Sequence, residues 1–382
     1  MMVAVPLRIL FLTDQLSFGG AERHLVALAT GLTARGHSVA VAGIKAGDDL
    51  LDALRQGGVE RIACCNSRGG LDLAAIAALA RIIDLEAPTV MVATSQYSLM
   101  FGVLARLRSR RPPALAFICH SMGMVQRGAG ARLRFLIYRW FYGHADHLIF
   151  VSELQRAFFS GIGIAPARCT VVHNGVDLQW FVPRPPPSMR DKELLIGMCA
   201  VLREEKGHLD MLEALALLRS KGVPARLLLV GEGPMRAAIE LCRDRLGLDD
   251  AVVLAGRQDD VRPFIAQCDV MVLTSHTETF PIATLEYMAM GKAVVASDVG
   301  GLREQLEHER NALLYPGGDV AALAAALVRC SEPALRARLG QQALHTVHQR
   351  FGIERMLERY ELLLASLAQG RAACAPLSGA QA

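Results

Sequence analysis

The chain alternates between two hydrophobic patterns. Short apolar runs such as LRILFLT at residues 7–13 and HSVAVAGI at residues 37–44 have the length of buried strands. Longer segments follow them, in which apolar residues recur every three or four positions, and Gly36 is predicted to end the first such helix. The apolar positions at helical spacing in that segment are Leu25, Leu28, Ala29 and Leu32. Repeated alternation of strand and helix predicts an α/β fold with doubly wound, mainly parallel sheets.

A proline-rich segment interrupts this alternation, which then starts again. The segment VPRPPPSMRDKE is the best linker candidate. We therefore predict two Rossmann-like domains that face each other across a cleft, a C-terminal helix that packs back on the N-terminal domain, and a disordered tail. The predicted bounds are 1–182 for the N-terminal domain, 183–192 for the linker, 193–350 for the C-terminal domain, 351–370 for the helix and 371–382 for the tail.

Prolines predict where helices of the second half begin. A proline is tolerated in the first turn because its missing N–H has no intrahelical acceptor there. Helices are expected to start at Pro234 and near Pro281, and the segment from Pro333 to about Leu367 is helical by pattern.

Size and composition restrict the class of protein. The 382 residues exceed one typical core, and 52% hydrophobic with 20% charged residues is typical of a globular protein. No apolar run reaches the roughly 18 residues of a membrane-spanning helix, and Arg8 interrupts the N-terminal run, which favours a strand over a signal peptide. Nine scattered cysteines without a C-x-x-C pattern favour a reducing cytoplasm over a disulfide framework.

The stretch Ser275–Asp298 carries the first candidate chemistry. It begins after a buried strand, so Glu278 is expected on the loop at the strand's carboxyl end, where α/β sheets bind ligands. Glu286 then falls about one and a half turns inside the following helix. The free N–H groups at the start of that helix favour a phosphate or a sugar oxygen. The alternative, on these residues alone, is a pair of surface glutamates beside an ordinary helix.

Two cations follow the first strand of the second half. Arg203 and Lys206 lie in the turn VLREEKG, directly before a helix, a position that suits a diphosphate. Arginine can bind it bidentately, and lysine adds a mobile point charge. The alternative is a solvated turn in which these cations pair with Glu204 and Glu205.

Five motifs complete the pattern. They are FGGAE at 18–22, HNGVD at 173–177, REEKG at 203–207, GEGP at 231–234, and Glu278 and Glu286 with seven residues between them. Gly19 and Gly20 let backbone N–H groups approach a phosphate, although such a pair also suits a simple turn. In this order, over about residues 7–365, the motifs make the chain resemble glycosyltransferase family 4, the retaining nucleotide-sugar enzymes of the GT-B fold.

The resemblance implies that residues 1–182 bind the acceptor and residues 193–350 bind the nucleotide sugar. It also implies a role for each motif. Glu286 would accept hydrogen bonds from the donor's ribose, Glu278 would contact hydroxyls of the transferred sugar, and Arg257 would lie near the nucleobase. The implied donor-binding residues are Gly19, Gly20, Arg203, Lys206, Gly231, Glu232, Arg257, Glu278, Thr279, Phe280, Pro281, Ile282 and Glu286. The implied catalytic residues are His120, Glu278, Arg203 and Lys206.

His120 ends the strand ALAFICH in the first half of the chain. The family often has a histidine near the reacting sugar at this place, and the resemblance carries that role to His120. A neutral imidazole could hydrogen-bond a sugar hydroxyl or stabilise the reacting centre. The alternative is a structural histidine whose hydrogen bonds are satisfied within the protein.

The implied reaction is the retaining transfer of a hexose-type sugar to a glycan or lipid-linked acceptor in envelope or exopolysaccharide biosynthesis. A UDP-sugar is the favoured donor, and GDP-mannose is the alternative. The leaving diphosphate needs positive charge, which the two cations and helix N-termini would supply. The chain contains no D-x-D triplet, so we expect a metal-independent mechanism without a cofactor.

Basic residues are concentrated in the N-terminal half. Residues 1–180 hold 18 Lys and Arg against 12 Asp and Glu, and no acidic residue occurs between Glu86 and Asp146. The arginines in that interval are Arg106, Arg108, Arg110, Arg111, Arg127, Arg132, Arg134 and Arg139. The segment ARLRFLIYRWFYG mixes arginines with large apolar residues, which favours peripheral binding to an anionic membrane surface, with a core helix as the alternative. Nucleic acid is disfavoured, since no nucleic-acid-binding module occurs.

Other interpretations stay open. A GT-B epimerase, or a catalytically silent scaffold subunit, would keep the fold without transfer to an acceptor. Four charged site residues together favour an enzyme over a scaffold. A phosphorylase would need a longer chain with a pyridoxal site, and the segment SFGGAE lacks the G-x-G-x-x-G spacing of a dinucleotide-binding dehydrogenase.

Overall fold

A computed structural model describes residues 6–17, 19–121, 131–164, 168–184 and 193–370. Contacts between residues divide the chain into two compact units. One comprises Met1–His173 with Met356–Ala382, and the other comprises Asn174–Arg355. Most of the predicted linker, the predicted tail, Phe18 of the FGGAE motif and Arg127 lie outside the described residues.

The first unit is built on a seven-stranded sheet in which all neighbouring strands are parallel. Its strands are β1 (Arg8–Thr13), β2 (Ser38–Gly43), β3 (Arg61–Cys64), β4 (Val90–Ala93), β5 (Ala114–Cys119), β6 (His147–Phe150) and β7 (Cys169–Val171). In the strand order β3-β2-β1-β4-β5-β6-β7, β2 and β3 lie on one side of β1, and β4 to β7 follow on its other side. This arrangement confirms the predicted doubly wound fold.

Helices connect these strands. They are α1 (Gly20–Ala34), α2 (Leu51–Gln56), α3 (Leu73–Glu86), α4 (Gln96–Arg106), α5 (Ala131–Gly143) and α6 (Glu153–Gly161). Helix α1 buries the four predicted apolar positions and ends before Gly36, which has a left-handed φ of 88°. The Asp72 carboxylate caps α3 by accepting from the N–H groups of Ala74 and Ala75. Within the described ranges, no helix combines the length and apolar character required to cross a membrane.

The second unit contains a six-stranded parallel sheet in the order β10-β9-β8-β11-β12-β13. Its strands are β8 (Leu194–Cys199), β9 (Ala225–Val230), β10 (Val252–Leu254), β11 (Val270–Leu273), β12 (Ala293–Ser297) and β13 (Leu313–Tyr315). Its helices are α7 (His208–Ser220), α8 (Arg236–Arg245), α9 (Arg262–Gln267), α10 (Ile282–Ala289), α11 (Val320–Arg329) and α12 (Pro333–Arg350). Two such sheets along one chain confirm the predicted pair of Rossmann-like domains.

Two predicted helix starts need small corrections. The helix expected at Pro234 begins at Arg236. The helix expected near Pro281 begins at Ile282, because Pro281 has an extended ψ of 132° and serves as the N-terminal cap.

The segment predicted as helical from residue 333 to about 367 forms two helices, α12 and α13 (Ile353–Ala368), with a break between them. Two backbone hydrogen bonds to Val176 cause the break. Its N–H donates to Phe351 O at 2.9 Å, and its carbonyl accepts from Ile353 N at 2.9 Å. The backbone at Phe351 and Gly352 therefore pairs with an extended segment instead of continuing the helix.

Helix α13 packs against α1 in the first unit. The Leu357 side chain fills the space over Gly31, where a Cβ would overlap it. Glu361 pairs with Arg35 at 2.9 Å and hydrogen-bonds His37 at 3.1 Å. The last described helix of the chain is therefore part of the unit that its first helix belongs to.

Candidate active site

The predicted site residues of the second unit lie in loops at the carboxyl ends of parallel strands. The turn with Lys206 follows β8, the GEGP turn follows β9, and the loop with Glu278 follows β11. Since β8 lies between β9 and β11 in the sheet, all three loops emerge at the same edge.

The Glu278 carboxylate is held by two donors. Lys206 Nζ donates to Oε1 at 2.7 Å, and Ser275 Oγ donates to the same oxygen at 2.6 Å. The Glu278 side chain is only 8% exposed, so the lysine charge stabilises a nearly buried anion. A carboxylate offers about four acceptor positions, which leaves Glu278 able to accept from a ligand as well.

The turn that carries Lys206 is fixed to the loop that carries Glu278. Gly207 has a left-handed φ of 68°, and a Cβ at this position would overlap the Thr274 carbonyl oxygen. The Thr274 hydroxyl donates to the carbonyl oxygens of Lys206 and Gly207, each at 2.9 Å. Only glycine allows this approach, which gives a physical reason for the Lys-Gly pair.

Gly300 is a second position that requires glycine, because it lies directly against the Glu278 backbone. Gly300 has a φ of 57°, and a Cβ there would overlap the Glu278 carbonyl oxygen. The neighbouring Gly301 N–H donates to that oxygen at 3.2 Å. The Gly300–Gly301 pair after β12 therefore packs against the loop that carries Glu278 and donates a hydrogen bond to it.

Arg203 is arranged differently from Lys206. Its side chain is exposed, and its Nη1 lies 4.0 Å from Glu205 Oε1, too far for a strong ion pair. The structure thus brings Lys206 and Glu278 together and leaves Arg203 at the outer side of the same turn. An exposed guanidinium beside this turn is free to move toward an anion.

The GEGP turn packs closely on the β8 loop. A Cβ at Gly231, whose φ is 148°, would overlap the Ala200 carbonyl oxygen. The Glu232 carbonyl accepts from Leu202 N at 3.0 Å, while its carboxylate pairs with Arg236 at 2.8 Å. Gly231 N donates to Gly256 O at 2.9 Å, which places Arg257, the next residue, beside this turn.

The start of α10 is held by side chains from the same unit. Asn174 Nδ2 donates to Phe280 O at 2.7 Å, and Gln305 Nε2 donates to Pro281 O at 3.1 Å. The first N–H groups of α10, including that of Ile282, have no acceptor within the helix. The two side-chain hydrogen bonds therefore hold in place the backbone N–H groups of the residues two to four positions after Glu278.

Glu286 lies in the second turn of α10 and is 1% exposed, whereas Thr279 is half-buried in the loop before the helix. The adjacent Tyr287 hydroxyl accepts from Cys199 N at 2.8 Å at the end of β8. Glu286 is thus carried by a helix that is fixed to the central strand of the sheet.

Gly19, Gly20 and His120 lie in the first unit. Gly19 caps α1 with an extended φ of −172°, and a Cβ there would overlap the end of the Glu22 side chain, which would have to move. A Cβ on Gly20 would meet nothing within 4 Å, so the fold does not require glycine at that position. His120 directly follows β5. Burial lowers its pKa from 6.5 to about 4, so the imidazole is neutral at pH 7.

Sequence reasoning did not single out Thr274, Ser275 and Gly300. Ser275 stands three residues before Glu278, a separation at which a hydroxyl can reach a carboxylate within one loop. That separation was the one signal available for it. The roles of Thr274 and Gly300 depend on contacts with distant segments.

Two family models match this chain. The model of Glycosyl transferases group 1 matches residues 193–332, and that of Glycosyltransferase Family 4 matches residues 18–180. The matched ranges contain β8 to α11 of the second unit and most of the first unit.

Curated relatives share moderate identity. N-acetyl-alpha-D-glucosaminyl L-malate synthase of Bacillus anthracis is 29% identical over 199 residues, 50% of this chain and 52% of that protein. The putative glycosyltransferase EpsD of Bacillus subtilis is 28% identical over 275 residues, 67% of this chain and 72% of that protein. A Campylobacter jejuni N,N'-diacetylbacillosaminyl-diphospho-undecaprenol alpha-1,3-N-acetylgalactosaminyltransferase is 29% identical, over 56% of this chain and 60% of that protein. The match therefore spans about half the length of the first of these relatives.

Solved structures share the fold. Anabaena HepE in complex with UDP and glucose superposes with a TM-score of 0.83 and 23% identity, covering 94% of this chain and 100% of that one. Sucrose-phosphate synthase from Thermosynechococcus elongatus gives a TM-score of 0.78 and 21% identity, covering 95% and 99%.

Proposed function

This chain belongs to glycosyltransferase family 4 of the group 1 glycosyl transferases, and on that premise we propose that it is a retaining, metal-independent hexosyltransferase. Its donor is a nucleoside diphosphate sugar, with UDP as the favoured nucleotide. Its acceptor is a glycan or a lipid-linked sugar in envelope or exopolysaccharide biosynthesis. The observation that carries the proposal is the Lys206–Glu278 pair, held by Ser275 at the carboxyl ends of β8 and β11.

Lys206 and Glu278 suit the two sides of the donor bond that breaks, which are the diphosphate and the sugar. The ammonium of Lys206 has three N–H groups and uses one on Glu278, so it can also donate to a diphosphate oxygen. Glu278 keeps acceptor positions for hydroxyls of the sugar. The N–H of Ile282, which has no acceptor within α10, lies at the start of the helix, where anions are favoured, and adds to the positive field.

In the proposed step, the anomeric C–O bond of the donor breaks and its electron pair goes to the leaving diphosphate. A new C–O bond forms to the acceptor oxygen on the same face of the sugar, and the acceptor proton goes to the leaving phosphate. Lys206 and Arg203 stabilise the charge that develops on the diphosphate. Neutral His120 donates or accepts a hydrogen bond at a sugar hydroxyl, and buried Glu286 accepts from the ribose.

Thermal unfolding with nucleotides tests the donor site. UDP, GDP, ADP and dTDP are each added with and without EDTA. A nucleotide at about 100 times its dissociation constant should add roughly 2.7 kcal/mol to the free energy of unfolding. We expect UDP to do so regardless of EDTA. Stabilisation that EDTA abolishes would contradict metal independence, and no stabilisation by any nucleotide would favour the scaffold interpretation.

Two variants and the product test the chemistry. Glu286→Ala should chiefly weaken UDP binding, while Glu278→Ala should chiefly lower kcat. NMR of the product should show the anomeric configuration of the donor. An inverted product, or two variants with full activity, would overturn the proposed mechanism.

The proposal of a lipid-linked acceptor is based on the exposed apolar face of α5. Four large apolar side chains of this helix, Leu133, Leu136, Ile137 and Trp140, are each between 45% and 64% exposed. Their spacing of three, four and seven residues places them on one helix face. Exposed Arg139 lies on the same helix, in a region with an excess of arginines. We propose that this face binds an anionic membrane surface that carries the lipid-linked acceptor.

Sedimentation with vesicles tests this face. Vesicles with anionic lipid at low salt should retain the protein, and salt or purely zwitterionic vesicles should release it. Leu136→Glu should weaken binding, whereas Leu241→Glu, at a leucine of α8 that is more exposed than Leu136, should not. Equal binding by both variants would contradict the assignment of α5.

A further inference from the structure

A buried polar cluster in the first unit joins three elements. The His24 ring, on α1, meets the His120 ring edge-on with centroids 4.8 Å apart and an interplanar angle of 67°. On its other side, His24 contacts the Tyr360 ring, on α13, with centroids 5.6 Å apart. His24 therefore lies between a residue assigned to the reaction and α13.

The polar atoms of this cluster are buried without a protein partner. His24 Nδ1, His24 Nε2, His120 Nε2 and Tyr360 Oη have no hydrogen-bond partner among the residues that the structure describes. Leaving such a group unpaired costs about 1–3 kcal/mol, and apolar side chains could fill the same space without that cost. Four such atoms in three touching residues therefore indicate a site that must bind water or another polar group.

Both imidazoles are uncharged in this environment. Burial and the neighbouring His120 hold the pKa of His24 well below its usual value, and burial alone lowers that of His120. Each neutral ring carries one N–H donor and one acceptor nitrogen. With the Tyr360 hydroxyl they provide enough donors and acceptors to hold one buried water, which needs two to four polar partners.

We propose that His24 is a positioning residue for His120: its ring packs against the His120 ring, and with Tyr360 it binds a buried water that fixes the orientation and tautomer of His120. This inference rests on the proposed function, since it is His120 that would touch the sugar. Its physical basis is that the orientation of a reacting group must be held closely, because a displacement of about 1 Å can cost 10²-fold in rate.

Kinetics of His24→Phe in the full chain test this role. The variant keeps a ring of similar size and removes both nitrogens. We expect kcat to fall about 10- to 100-fold, while the KM for the nucleotide sugar and the Kd for UDP change less than twofold. Tyr360→Phe, which removes one oxygen, should lower kcat in the same direction. The matched control Tyr315→Phe removes an equally buried hydroxyl in the second unit and should keep kcat.

A double-mutant cycle separates positioning from general damage. In a His120→Ala background, His24→Phe should cost no further activity, because its effect passes through His120. Additive losses, or full activity of His24→Phe, would overturn the inference. Should His24→Phe fail to fold, Tyr360→Phe takes its place in the cycle.

Histidine-selective ¹⁵N NMR gives a readout that needs no donor. The two ring nitrogens of His120 should show one dominant tautomer in the native chain and a changed ratio in His24→Phe or Tyr360→Phe. Unchanged His120 signals in both variants would overturn this inference alone. Full activity of His120→Ala would instead contradict the proposed function at that residue.

Discussion

The two units bury polar groups in opposite ways. In the second unit, Glu278 is nearly buried and receives two hydrogen bonds, one from the charged Lys206. In the first unit, His24 is 1% exposed and has no hydrogen-bonding partner among the described protein atoms. Both groups lie close to residues at the carboxyl ends of parallel strands, Ser275 after β11 and His120 after β5.

The difference follows from charge. A carboxylate that leaves water loses far more solvation energy than a neutral ring, so it persists only with a cation and further donors nearby. An imidazole avoids that cost by remaining unprotonated, and a water can satisfy it. We therefore propose that the second unit is preorganised to bind charge, and that the first presents a neutral hydrogen-bonding group.

The largest effect is expected from Lys206→Ala, which leaves Glu278 without its cation. Turnover should fall about 10²–10³-fold. The free energy of unfolding should fall by about 1–3 kcal/mol, less than for a fully buried pair because Lys206 is 24% exposed. Activity assays and chemical denaturation measure the two losses. Lys221→Ala, at an exposed lysine at the end of α7, is the control.

The double variant Lys206→Ala with Glu278→Gln isolates the electrostatic part. A neutral amide needs no cation, so stability should recover while activity does not. If stability stays low, the loss comes from packing of the lysine stem and the proposed charge balance is wrong.

An intermediate effect is expected from pH. Burial lowers the pKa of His120, His147 and His208 from 6.5 to about 4. Above pH 6.5 these groups are neutral in both states, and the fold has its full stability. As the pH falls from 6.5 toward 4, the unfolded chain binds protons that the folded imidazoles do not, so the free energy of unfolding decreases.

His120→Asn should make that decrease shallower, since each unit of pKa difference corresponds to about 1.4 kcal/mol. Denaturation at several pH values between 4 and 7 measures the slope. Tyr360→Phe controls for packing in the same cluster, because a phenol does not titrate in this range. Equal slopes in the native chain and His120→Asn would show that His120 is not held neutral.

The smallest effect is expected from Ser275→Ala. It removes a hydrogen bond from an uncharged donor to the Glu278 carboxylate and leaves Lys206 in place, so stability should fall by about 1.5 kcal/mol and kcat by less than 10-fold. Comparison of kcat and KM between Ser275→Ala and Lys206→Ala tests whether the serine variant has the smaller loss. A loss as large as that of Lys206→Ala would mean that the hydroxyl, not the cation, mainly holds the carboxylate.

The sequence predicted strands and helices well where the pattern is local. The buried positions of α1 and the doubly wound topology follow from spacing alone. The helical pattern itself does not show the break between α12 and α13, because the break involves backbone pairing with the distant Val176. Prolines indicated the starts of α8 and α10 to within two residues, since proline suits both the cap and the first turn.

Within the candidate site, the sequence indicated which residues take part but did not indicate which of them contact each other. The sequence indicated Lys206 and Glu278 separately, but their contact joins residues 72 positions apart. The same holds for Thr274 and Gly207, and for His24 with Tyr360. The exposed face of α5 was also ambiguous, because apolar residues at helical spacing are equally compatible with a core helix.

The packing of α13 on α1 has a consequence for synthesis of the protein. The ribosome completes residues 1–173 and then the whole second unit before the helix that covers Gly31 and His24 emerges. At 5–20 residues per second, about 10–40 s pass in between. During this interval α1 lacks the contacts that Leu357 makes over Gly31 and that Tyr360 makes with His24 in the folded protein. The first unit can complete its native packing only after α13 has been synthesised.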